Sequence, residues 1–122
     1  MESYSQEKLQ SAIKVVSSTI NNCEKMQPKF AEGTSQHSLL RNRIKALKIS
    51  KCLLERDRAI DIYSKSDLEK ALPPMISIIN KIEKARGKYE EGSTQFKRFT
   101  PMIEAMYISK VLIEKEIEQR NK

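Results

Sequence analysis

The chain has 122 residues, the size of one domain, and can bury a core without disulfides or a metal. Its 23 basic and 16 acidic residues leave a net charge of +7, which suits an anionic partner, while 3 glycines and 4 prolines among many Lys, Glu, Ile and Leu favour helix over strand. No stretch approaches the ~20 apolar residues of a membrane span, and two cysteines allow one bridge at most.

In chain order, the opening MESYSQEKLQ lacks the basic-then-apolar pattern of a secretory signal, so the protein is expected to be soluble and cytoplasmic, with no membrane partner. A first helix is predicted over 6–32, where Leu9, Ile13, Val16, Ile20, Cys23 and Phe30 recur on one face; Pro28 falls late in it. The stretch Glu32-Gly33-Thr34-Ser35-Gln36 reads as a tight corner, with Gly33 as a helix C-terminal glycine and Thr34 or Ser35 accepting from the free amides of the next helix. The second helix, 36–62, has an apolar set from Leu39 and Leu40 through Ile44, Ala46, Leu47 and Ile49 to Leu53, Leu54 and Ile60. That set covers more than half the helix circumference, which calls for burial between several neighbours or for a second chain.

The third helix is predicted over 66–91, opened by a capping box at Ser66-Asp67-Leu68-Glu69 and carrying Leu68, Leu72, Met75, Ile79, Ile82 and Tyr89 inward. Interior proline costs a helix ~3 kcal/mol, so a kink or break is expected near Pro73-Pro74; a break would leave 66–72 as a separate short helix. A second Glu91-Gly92-Ser93-Thr94-Gln95 corner leads into a fourth helix over 95–120, with Phe99, Ile103, Met106, Ile108, Leu112 and Ile113 inward and Pro101 near its start.

The corners betray an internal repeat. Sliding the chain by 59 positions superposes Tyr4 on Tyr63, Ala12 on Ala71, Glu24-Lys25 on Glu83-Lys84, Gly33 on Gly92, and Ile49-Ser50-Lys51 on Ile108-Ser109-Lys110. About a third of the positions are identical. The predicted fold is all-α: one domain over 1–122, an up-down-up-down four-helix bundle built from two duplicated antiparallel helical hairpins, about 4–62 and 63–121.

Catalytic and metal chemistry find little support. The single histidine, His37, aligns with Phe96 and reads as a corner residue; two cysteines and one histidine make no zinc site, and no phosphate loop or nucleophile elbow occurs. No metal and no cofactor are expected. Cys23 aligns with Ile82 and reads as a core residue, whereas Cys52 falls among Arg41, Lys45 and Lys48 on one side of its helix, where positive charge would favour a reactive thiolate.

The two copies differ most in charge. Between His37 and Lys51 the first carries Arg41, Arg43, Lys45, Lys48 and Lys51 with no acidic residue; four of these become Thr100, Met102, Glu104 and Tyr107 in the second. Arg41, Lys45 and Lys48 recur at i, i+4 and i+7, as a surface tracking phosphates requires, although no aromatic residues interleave to stack on bases. On the fourth helix Tyr107 and Val111 make an apolar pair among Glu104, Glu114 and Glu118, a candidate interface. The sequence therefore points to a non-enzymatic bundle that binds a protein partner or forms a homo-oligomer such as a dimer. Binding of nucleic acid or another polyanion by the basic face of the second helix is the alternative.

Overall fold

The computed structural model describes residues 4–122, so the first three residues of the N-terminal stretch and of the 1–122 domain lie outside the described residues. Four helices form the predicted up-down-up-down bundle: α1 (Gln6–Met26), α2 (Ser35–Leu54), α3 (Lys65–Arg86) and α4 (Thr94–Arg120).

Each start has a local cause. Ser5, Thr34, Ser64 and Ser93 lie in extended conformation before their helices, and each side-chain oxygen accepts from the amide three residues on. The capping box opening α3 is Ser64 with Asp67, not Ser66 with Glu69. The Ser64 Oγ accepts from the Asp67 amide at 3.0 Å, and the Asp67 carboxylate accepts from the Ser64 amide at 2.9 Å. Gly33 and Gly92 both adopt φ +88°, and each directly precedes an N-cap. They are turn glycines that aim the chain into the next helix, because the preceding α-helices have already ended at Met26 and Arg86.

The helix ends depart from the sequence expectation. After Met26 the chain tightens into a 3-10 turn over Gln27–Lys29 that accommodates Pro28. Helix α2 stops at Leu54 instead of reaching residue 62. There Arg56 takes φ +55°, its amide donates to the Leu53 carbonyl at 3.2 Å, and the Asp57 amide reaches back to the Cys52 carbonyl at 2.9 Å. This is a Schellman end with arginine at the position glycine usually fills. The Asp57 side chain then caps a 3-10 segment over Arg58–Ile62, which links α2 to α3.

Helix α3 runs without a break through Pro73 and Pro74, and no separate helix over 66–72 forms. Leu68 and Ala71 before the prolines and Met75, Ile78, Ile79 and Ile82 after them are buried in one core. Burial at ~1.5–3 kcal/mol for each large side chain outweighs a proline penalty of ~3 kcal/mol apiece. The two rings still leave the Glu69 and Lys70 carbonyls, four residues earlier, without α-helical donors.

The wide apolar face of α2 is explained by its neighbours. Besides the ring of contacts between adjacent helices, α2 approaches α4 across the bundle, whereas no Cα of α1 comes within 8 Å of one in α3 among the described residues. The cross-section is thus a rhombus with α2 and α4 on its short diagonal. Both central helices carry a small pair one turn apart, Ala46 with Ser50 and Ala105 with Ser109, at most 2 % exposed. Each serine returns its hydroxyl to the carbonyl four residues before, at 2.9 and 2.8 Å, so the hydroxyl is buried without loss.

Two further contacts hold the ends. Arg86 stacks over Phe96 at 4.8 Å across the α3–α4 corner, where Tyr89 also packs on Phe99 at 6.0 Å. At the opposite end Arg120 of α4 donates to the carbonyls of Ile60, at 2.9 Å, and Tyr63, and to Glu116 at 3.0 Å. It ties the 3-10 link to the last helix.

Candidate partner-binding groove

The five basic residues of α2 do not share one face. Lys45 reaches across to Asp67 of α3 at 2.8 Å, while Lys48 turns the other way to Glu24 of α1 at 3.5 Å. Arg43 lies inward, donating to Ser77 Oγ at 3.2 Å with its Nε buried and unpartnered among the described residues. Lys51 is half-buried and only Arg41 points outward without a partner among the described residues. The physical reason is the rhombus: a helix with three neighbours keeps a narrow outer arc, and the long side chains at its borders lean onto the flanking helices.

The expected reactive thiolate is not supported by its surroundings. Burial raises the Cys52 thiol above its ordinary value, and the carboxylates of Asp57 and Glu55 add to the rise while Lys51 opposes it. Lys45 and Lys48, the cations expected to lower it, are engaged with Asp67 and Glu24. Cys23 is raised too, by its own burial first, with Arg43 and Lys81 pulling the other way.

Tyr107 is 43 % exposed and its hydroxyl sits 3.4 Å from Glu83 of α3; Val111, one turn on, is half-buried. The Tyr107–Glu83 contact falls 59 positions along from Lys48–Glu24 on both partners. Tyr107 and Val111 therefore occupy the helix-crossing position that the basic residue and Cys52 occupy in α2.

A concave site opens on the other side of α3. Between α2 and α3 lies a groove of about 530 Å³. Its apolar wall is Leu39, Ala46, Ala71, Pro73 and Pro74; Asn42, Lys45, Asp67, Lys70 and Ser77 supply the polar groups. Small residues at 46 and 71 and the compact proline rings leave its floor free of long side chains. Leu39 stays 46 % exposed at its mouth.

The corresponding crevice between α1 and α4 is lined by Lys8, Ser11, Ala12, Pro101, Glu104 and Ala105 among others, nearly all 59 positions from residues of the first groove. It measures only about 60 Å³. Lys14 and Val15 stand there in place of the two prolines, and Arg98 in place of Leu39. Pro73-Pro74 was visible in the sequence as a helix anomaly, but its place in the lining of an open groove needed the position of α2.

Asp67 is the one carboxylate lining the open groove. The hydrogen bond from Lys45, and then that from the Ser64 amide, lower its pKa from 3.8 to about 2. Among the described residues no three His, Cys, Asp or Glu side chains gather as a metal site, and no helix is long and apolar enough to cross a membrane. No protein-family model, curated protein or solved structure matches the chain.

Proposed function

We propose that the protein works by binding a protein partner, a second copy included, along the α2/α3 groove, and not by catalysis. One observation carries this reading. Two seams built from corresponding residues differ about ninefold in volume, and the open one leaves Leu39 half-exposed beside proline rings that helix stability alone disfavours. Packing requirements common to both halves explain the closed seam and do not explain the open one. Clefts that are mostly apolar, with a few polar groups at fixed positions, are the usual form of a recognition site.

The basic residues fit this reading better than a separate phosphate-tracking face. Lys45 lines the groove and Arg41 stands one turn before it, while Lys48 belongs to the α1 side.

The test is Leu39→Glu against Ser18→Glu, an exposed position on α1. Sedimentation velocity over a range of concentrations, with quantitative affinity purification from the native source, should show loss of self-association or of bound partner with Leu39→Glu only. Circular dichroism should show both variants folded. A Leu39→Glu protein that retains the wild-type associations refutes the assignment of the groove.

A further inference from the structure

Resting on that reading of the groove, we infer that its occupant is an acidic amphipathic α-helix of the partner. Three features of the groove select this class.

The first is charge. Lys45 and Lys70 line the two walls. Arg41 precedes Lys45 by one turn, and Lys81 follows Ser77 by one turn, so both rims continue as exposed cations. Against these stands Asp67, already engaged by Lys45 at 2.8 Å. With Lys45 and Asp67 paired to each other, Arg41, Lys70 and Lys81 present the remaining positive charge to whatever lies between the rims, and carboxylates flanking an apolar stripe complement it.

The second feature is the floor. Ala46, Ala71, Pro73 and Pro74 offer apolar surface, which a nucleic acid or another uniform polyanion would cover without using. An occupant that gains from both floor and rims has an apolar stripe bordered by acids.

The third is backbone chemistry. An extended segment needs an edge to pair its amides and carbonyls, and two α-helices offer none beyond the Glu69 and Lys70 carbonyls released by the prolines. A helix satisfies its own backbone and lies in the seam as a further member of the bundle. From Leu39 to Ala46, and from Lys70 to Ser77, each wall runs about 10 Å, or two helical turns. The occupant then anchors with residues at i, i+3 or i+4, and i+7.

The experiment uses the full chain and three labelled synthetic peptides, read by fluorescence anisotropy at low and physiological salt. One peptide has leucines at i, i+3, i+4 and i+7 with glutamates beside them, the second has lysines for those glutamates, and the third is a scramble of the first. Labelled duplex DNA is the fourth probe. The acidic amphipathic peptide should bind, weaken with salt, and lose about tenfold in affinity with Leu39→Glu and again with Lys70→Glu/Lys81→Glu.

Equal binding of the scramble, equal binding of the lysine peptide, tighter binding of DNA, or no binding of the acidic peptide each overturns the inference. The groove reading fails separately. If Leu39→Glu abolishes native association while no acidic peptide binds, the groove stands and this occupant falls; if Leu39→Glu changes neither, both fall.

Discussion

Replacing Arg120 by alanine should cost about 2 kcal/mol, although the residue is third from the C-terminus. Its guanidinium donates to the Ile60 and Tyr63 carbonyls from a side chain that is 22 % exposed. Charge-assisted bonds contribute ~1.5–3 kcal/mol each, but both carbonyls lie in a surface link and regain water when the arginine is removed, so their sum is reduced to ~2. For a chain of this length an unfolding entropy of ~2.1 cal/mol/K per residue converts 2 kcal/mol into about 8 °C of Tm. Thermal melts and urea titrations followed at 222 nm measure it, with the urea midpoint falling at an unchanged slope.

Two controls separate the clamp from the adjoining ion pair. Glu116→Ala removes a pair within one helix and should cost no more than ~0.5 kcal/mol. Arg120→Lys keeps the charge but cannot reach both carbonyls with one ammonium, and should recover less than half of the loss. An Arg120→Ala loss below ~0.5 kcal/mol, or full rescue by lysine, would refute the clamp.

Arg56→Gly should stabilise the fold by ~1 kcal/mol, because φ +55° strains a side-chain-bearing residue and not glycine; an unchanged urea midpoint would count against the Schellman end. Asp67 has a depressed folded pKa of about 2, so its contribution to stability is present above its ordinary value of 3.8 and is lost as the pH falls toward 2. Asp67→Asn should accordingly flatten the acid limb of the stability curve in that window, and in a carboxyl-carbon NMR titration Lys45→Met should move the Asp67 midpoint upward. A wild-type midpoint near 4 would contradict the Lys45 pairing. Thiol labelling of the native protein at neutral pH should be slow at both cysteines and slower at the buried Cys23, and a fast Cys52 reaction would contradict its raised pKa. Met75→Ala, at a wholly buried site where the Met75 sulfur lies 3.7 Å from the Ser50 hydroxyl, should cost ~2–5 kcal/mol; a loss under 1 kcal/mol would show that the core is not packed as described.

The helices, their inward faces and both corners were legible because burial is periodic and the turn chemistry is local. What periodicity hid was the end of α2. Ile60 stays in phase with Leu53 and packs against the core, so the apolar pattern runs on through Arg56, where the backbone reverses its φ. The capping box was misplaced by two residues because Ser64 and Ser66 both precede an acidic residue three positions on, and only the chain direction out of the 3-10 link selects the first. The breadth of the α2 apolar face was plain, but its cause, the short diagonal to α4, depends on which opposite pair of helices closes. The basic residues of α2 were legible, but the direction in which each side chain leans was not. Spacing along one helix places Lys45 and Lys48 together, whereas Asp67 and Glu24 draw them to opposite sides.

The joints between the two halves also carry a form of address. Lys8 meets Glu104 at 3.4 Å, and 59 positions along on both partners Asp67 meets Lys45, the same joint with its signs exchanged. Were residues 4–62 to assemble with a second copy of themselves, lysine 8 would face lysine 45 at both joints. Two copies of the other half would set Asp67 against Glu104. Only the unlike combination is attractive, and with exposed pairs at ~0.2–1 kcal/mol each, the swing over two joints is on the order of 1–4 kcal/mol. Apolar faces so alike cannot by themselves tell self from complement; the exchanged charges can, and added salt should erode the distinction first.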